Sequence, residues 1–156
     1  MASVPSFTRT SPVNAVVAAV QAQPLATKER VVFIAFDASL VSAVRAALPD
    51  YEAWLLLNSG TYTGADLVSS IQACNATGVD ILYSATYAAE DVAAVKAAGH
   101  AFVVWTPDSD ATAFALAQMG VEGITTNRGG EMKTALAALV AGVFVLNRLF
   151  AAAFVR

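Results

Sequence analysis

One histidine and one cysteine are all this 156-residue chain holds of the two side chains most used for nucleophilic and metal chemistry. Cys74 has no partner for an internal disulfide and no neighbours at metal-ligand spacing, so it reads as a small apolar residue packed on a helix. A single histidine excludes a two-histidine acid–base pair drawn from this chain alone. Charge is scarce as well. Asp, Glu, Lys and Arg make up 13% of the residues, about half the usual ~25%. The net charge is −3 and no block of basic residues occurs anywhere. Nothing here neutralises a phosphate backbone, which excludes nucleic acid as a partner. A clear secretory leader is also missing. Val13 to Val20 is apolar, but Asn14 interrupts it and Arg9 is the one cation before it. Residues 1–28 lack acidic side chains, a weak trait of transit peptides. The expected location is cytoplasmic.

What is abundant is apolar side chain, at 57% of the sequence against a usual ~45–50% that already counts glycine. A monomer of this size has too much surface for so few charges to cover, so part of it is expected to be buried against something else. The length suits one domain but is short of the ~250 residues of a typical β/α barrel.

From residue 31 onward, strand-like and helix-like segments alternate. Val31–Phe36 is a continuous β-branched and aromatic run, the pattern of a strand covered on both faces. Asp37 follows as a helix cap, and Leu40, Val41, Val44 and Leu48 recur at helical spacing until Pro49. Ala53–Leu57 is a second strand, and Leu67, Ile71 and Cys74 mark the helix after it. Asp80–Ser84 is a third, weaker strand; Val92, Val95 and Ala98 line the next helix, which Gly99 closes as a left-handed cap. Ala101–Trp105 is the fourth strand, backed by Ala113, Leu116 and Ala117 and closed by Gly120. Val121–Thr126 is the fifth, and a last helix starts near Gly130 or Glu131. Strands joined through helices of about ten residues give right-handed βαβ units and a parallel sheet. Periodicity alone leaves open whether that sheet is doubly wound or part of a barrel.

Three motifs narrow the choice. Ala35-Phe-Asp37, followed by a helix ending at Leu48-Pro-Asp50 and by Trp54-Leu-Leu-Leu57, is the first. Phe102-Val-Val-Trp-Thr106 is the second, and Met119-Gly-Val-Glu-Gly-Ile-Thr-Thr-Asn-Arg128 the third. Together they resemble the C-terminal half of the glycerophosphodiester phosphodiesterases, over roughly residues 12–138. That family shows Ser-Phe-Asp, then a strand ending in Trp-Thr-Val-Asn, then Leu-Gly-Val-Asp-Gly-Ile-Thr-Thr-Asp-Arg-Pro. The resemblance implies an α/β fold: a partial TIM-type (β/α) barrel of the phospholipase C-like phosphodiesterase kind, about the last four to five βα units. It divides the chain into an N-terminal segment with the first helix (1–30), a half-barrel (31–138) and an apolar C-terminal helix (139–156). The sequence departs from the family at Ala35, Pro107-Asp108, Asn127 and Gly129. The family's first four motif-bearing strands are absent, with their His-Arg-Gly, Glu-x-Asp, second histidine and Glu-x-Lys. Since four missing strands and five present exceed eight, one of the five is expected not to be a barrel strand, and Asp80–Ser84 is the weakest.

The chemistry implied by the family is hydrolysis of glycerophosphodiesters to glycerol 3-phosphate and an alcohol, with a divalent cation (Ca²⁺ or Mg²⁺) and two histidines. No catalytic residue and no metal ligand of that set is expected in this chain. His100 sits at the start of its strand, ~16 Å from the C-terminal edge where barrel sites lie, and reads as a residue of the barrel floor. Asp37, Asp108 and Asp110 fall near strand C-termini, where the helix-capping reading competes with cation binding. Trp105 and Phe36 are the candidate substrate-binding residues by resemblance; packing inside the barrel is the competing reading for both. Arg128, Gly129 and Gly130 are the candidate phosphate-binding residues, since backbone N–H groups at a helix start and a guanidinium suit an anion, and a plain turn is the alternative. The apolar stretch Ala135–Val155 is long enough to span a bilayer, but Asn147-Arg148 falls past its middle. A buried or oligomer-forming helix is expected, with membrane association the alternative. The expected partners are a second copy or a chain completing the barrel, with a glycerophosphodiester as ligand once the site is complete. Three functions stay open at this stage: an inactive relative, one half of a split enzyme, and a non-catalytic assembly module.

Overall fold

The computed structural model describes residues 12–140. Helix α1 (Pro12–Gln21) comes first, followed by β1 (Val32–Ala35), α2 (Ala38–Ala47), β2 (Glu52–Leu57), α3 (Gly64–Ala73) and β3 (Gly78–Leu82). The chain goes on through α4 (Ala89–Ala97), β4 (Ala101–Trp105), α5 (Asp110–Gln118), β5 (Gly123–Thr125) and α6 (Gly129–Val140). The five strands form one parallel sheet in sequential order, β1-β2-β3-β4-β5. Each neighbouring pair is a βαβ unit, as short helical crossovers require. The sheet is curled into a half-barrel with the helices outside.

Local chemistry fixes the helix starts. Asp37 accepts a hydrogen bond from the Ser39 backbone at 2.8 Å, Thr63 Oγ1 from Asp66 N at 3.2 Å, and Ser109 Oγ from Thr112 N at 3.2 Å, each satisfying an otherwise orphaned N–H. Asp91 serves two helices: its carboxylate accepts from Ala88 N at 2.8 Å and from Gly64 N at 2.7 Å, tying the start of α3 to that of α4. Gly64 permits this approach, because a Cβ there would lie 2.5 Å from the Cβ of Ala94. Gly99 and Gly120 end α4 and α5 with positive φ values of 82° and 87°, the left-handed caps expected of them.

Strand alternation separates two faces. Ala53, Leu55, Val79, Ile81, Phe102, Val104 and Ile124 point outward into a core shared with Val41, Leu67, Ile71, Val92, Val95, Leu116 and Met132 of the helices. The intervening residues line the concave face. Trp54, Leu56, Val103, Asp80 and Thr125 are buried there.

All five strand expectations correspond to sheet strands, and this corrects one of them. The segment around Asp80–Ser84, expected to be the false strand, holds the centre of the sheet as β3, paired with β2 and β4 on its two sides. It begins two residues earlier than read, at Gly78, and has ended by Tyr83. Gly78 and Asp80 weaken its intrinsic strand preference, but close contact with β4 overrides propensity. A Cβ at residue 78 would sit 2.5 Å from the Ala101 carbonyl oxygen. With five strands among the described residues, a closed eight-stranded barrel would need three more.

Candidate functional site

Barrel sites lie where strands end and βα loops begin. Phe36 directly follows β1, and Trp105 ends β4. Two strands intervene between them, so on a flat sheet their backbones would stand ~14 Å apart at a ~4.8 Å strand spacing. Their rings nevertheless meet edge to face, with centroids 5.9 Å apart and planes at 80°. Curling of the sheet brings them together over the concave face. Phe36 is 54% exposed, whereas Trp105 is half-buried and its indole N–H donates to the Asp80 carbonyl at 3.1 Å. The two candidate substrate-binding residues therefore share one rim.

Beneath them lies a residue that the sequence reading passed over. Asp80, mid-strand in β3, is fully buried on the concave face. One carboxylate oxygen accepts from Thr125 Oγ1 of β5 at 3.1 Å, again spanning a strand between them, and the other has no hydrogen-bond partner. Burial in this apolar setting pushes its carboxyl up to about 7, which the Thr125 hydroxyl partly opposes. The signal was present in the sequence: an acidic side chain alternating with Val79 and Ile81 must face the lumen if those two face the helices.

The βα loops after β4 and β5 are joined by Asp108. Its carboxylate accepts from Asn127 Nδ2 at 2.8 Å, Thr126 Oγ1 at 2.9 Å and Asn127 N at 3.1 Å. These bonds hold its carboxyl below the usual carboxylate range, the Asn127 side chain contributing most. Arg128 donates to Glu131 at 2.9 Å through Nε and to the Asp108 carbonyl at 2.9 Å, and its Nη1 lies 3.4 Å from Asp110. Hydrogen bonding to Glu131, followed by the charges of Glu131 and Asp110, raises its already high pKa. The guanidinium that was a phosphate candidate is thus engaged with carboxylates. Gly129 and Gly130 open α6, and no heavy atom would stand within 4 Å of a Cβ at Gly130.

For a divalent cation the residues do not fit. Among the described residues no group of three His, Cys, Asp or Glu side chains converges to hold a metal. Asp37 caps α2, Asp108 serves the loop junction, and Asp110 faces Arg128. His100 immediately precedes β4, at the opposite end from Trp105. Nor, among the described residues, is any helix long and apolar enough to cross a membrane; residues 141–156, most of the apolar tail, lie outside them.

Solved structures share this architecture. A Silicibacter pomeroyi DSS-3 protein described as a glycerophosphoryl diester phosphodiesterase matches with a TM-score of 0.68 at 24% identity, over 81% of this chain and 44% of that one. A Galdieria sulphuraria protein described as a glycerophosphodiester phosphodiesterase gives 0.67 at 20%, covering 86% and 54%. An Oleispira antarctica phosphodiesterase, solved in complex with the product sn-glycerol-3-phosphate, gives 0.63 at 17%, covering 80% and 50%. No curated protein sequence matches. The chain spans about half the length of these structural relatives. The model of the glycerophosphoryl diester phosphodiesterase family matches residues 5–131, and the chain belongs to that family.

Proposed function

We propose that this chain is the substrate-facing wall of a glycerophosphodiester phosphodiesterase barrel, and that it hydrolyses glycerophosphodiesters only when the three further βα units bearing histidines and metal ligands close the barrel. The observation that carries this reading is the Phe36–Trp105 pair at the C-terminal rim of the sheet, where, among the described residues, no group of His, Cys, Asp or Glu side chains could hold a cation. Opening a phosphodiester needs positive charge on the phosphoryl oxygens and a positioned proton donor and acceptor. The concave face described here offers aromatic surface and one buried carboxyl instead. In the closed barrel the two rings pack against the glycerol or alcohol part of the substrate, and the divalent cation is held by units other than the described half-barrel. Arg128, with the start of α6, contributes to phosphate binding if its contact with Glu131 yields to the substrate.

The test is hydrolysis of glycerophosphocholine by the purified chain with Ca²⁺ or Mg²⁺. Turnover at background supports the reading. Metal-dependent turnover above background that disappears in Trp105→Ala contradicts it, because the chain would then hold a complete site.

A further inference from the structure

Asp80 and Trp105 are tied to each other in two ways. The Trp105 indole N–H donates to the Asp80 main-chain carbonyl at 3.1 Å. The Asp80 carboxyl accepts at 3.1 Å from the hydroxyl of Thr125, the residue directly opposite Trp105 in the β4–β5 register. The carboxyl thus reaches across β4 and clamps the strand that carries the indole between β3 and β5. Asp80 itself stands opposite Val103, so Trp105, two residues further along the same face, lies one layer closer to the rim. The ring of Phe36 meets that indole edge to face.

This clamp is sensitive to charge. Thr125 satisfies one carboxyl oxygen, and the other is buried with no partner. A neutral oxygen left so costs far less than one sharing a negative charge, and burial accordingly pushes the carboxyl up to about 7. Its neighbours on the concave face are uncharged: Leu56 of β2, Val103 and Trp105 of β4, and Thr125 of β5. Glu52 shares that face of β2, but four residues, or ~13 Å, from the position opposite Asp80. β1 contributes Ile34 and Phe36 beside Trp54 and Leu56, and neither titrates. In the βα loops, Asp37 caps α2, while Asp108, Asp110 and Arg128 bond around the end of β5. Among the described residues no Lys, Arg or His pairs with Asp80.

We propose that Asp80 is a positioning residue for substrate: its neutral carboxyl, through Thr125, holds Trp105 against Phe36, and its ionisation draws water past the indole and releases the pair. The proposal rests on reading the two rings as the substrate rim, and adds what sets that rim and when. The folded carboxyl binds its proton more tightly than an unfolded one, so the rim is assembled at low pH and loosens as pH rises through about 7. Substrate that packs on the rings is therefore held best in weakly acidic solution.

The chain has two tryptophans, and their indole N–H signals in the ¹⁵N-labelled full chain, assigned with Trp105→Phe, test this. Between about pH 6 and about pH 8 the protection of the Trp105 indole against hydrogen exchange should fall roughly tenfold, while that of Trp54 changes little. Asp80→Asn keeps an acceptor for Thr125 and cannot ionise, so it should hold the Trp105 indole protected across the range. Thr125→Val keeps the shape and removes the hydroxyl, and should leave the Trp105 indole poorly protected even at about pH 6. A wild-type Trp105 signal that ignores pH overturns the proposal without recourse to any variant. Equal titration in Asp80→Asn, or full protection in Thr125→Val, also overturns it. An equal loss at Trp54 would mark general opening and count against a positioning role. Turnover of glycerophosphocholine is a separate readout: an indole that responds as described supports the positioning role whether or not the chain hydrolyses that substrate.

Discussion

Phe36 and Trp105 stand on strands that are not neighbours, and their rings meet edge to face with centroids 5.9 Å apart. An aromatic pair of this geometry adds ~0.5–1.5 kcal/mol beyond its buried area. A double-mutant cycle of Phe36→Leu and Trp105→Leu, followed by urea unfolding, should return a coupling in that range. Coupling near zero would mean that the rim is not preassembled and that the sheet is flatter than described.

Asp80 predicts an unusual pH dependence. Its carboxyl titrates at about 7 when folded and near ~3.9 when unfolded, so the folded state binds the extra proton between those values. Stability from this group is complete below pH ~4 and declines as pH rises through about 7, the reverse of a salt-bridged aspartate. The shift corresponds to on the order of 4 kcal/mol as an upper bound. Urea midpoints should fall from pH 5 to pH 8 in the wild type and stay flatter in Asp80→Asn. An equal pH dependence in both proteins would remove Asp80 as its source.

Gly64 and Gly78 are required by close approach, whereas Gly130 is not. Gly64→Ala drives a methyl into Ala94, and Gly78→Ala drives one into the backbone of β4. Each should cost roughly 1–3 kcal/mol. Gly130→Ala, in open space at the start of α6, should be neutral or stabilising by up to ~1 kcal/mol. Thermal unfolding of the three variants checks the order, and a Gly130→Ala change as damaging as Gly78→Ala would contradict it.

The loop junction at Asp108 depends on an ionised carboxylate held below its usual range by Asn127 and Thr126. Its bonds should persist above pH ~4 and be lost only as pH falls through that lowered value. Amide exchange at Asn127, whose N–H donates to Asp108, should accelerate in Asp108→Ala at neutral pH. Unchanged exchange would show that Asp108 does not hold the junction.

Much of the fold was legible because its signals are local. Apolar runs bounded by Asp37, Pro49, Gly99 and Gly120 marked the elements, and the caps sit where those residues fall. β3 was misjudged because Gly78 and Asp80 are poor strand formers whose reasons are tertiary: one allows β4 to approach, and the other meets Thr125 across the lumen. Asp80 lies mid-strand in β3, whereas the motifs that carry the resemblance to the family fall at strand ends. The engagement of Arg128 with Glu131 joins neighbours three apart on a helix start and was open to inspection. The link from Asp108 to Asn127 crosses two loops and has no local trace.

Among the described residues the sheet ends at β1 and β5, and we propose that five such strands of a barrel are not self-sufficient. Unpaired edges invite other chains, and burying a further ~800 Å² of apolar area per chain contributes on the order of 20 kcal/mol before association costs. Sedimentation of the purified chain at micromolar concentration in detergent-free buffer tests this directly. Self-association or aggregation is the expected outcome. A sharp 16.1 kDa monomer that unfolds cooperatively would contradict it.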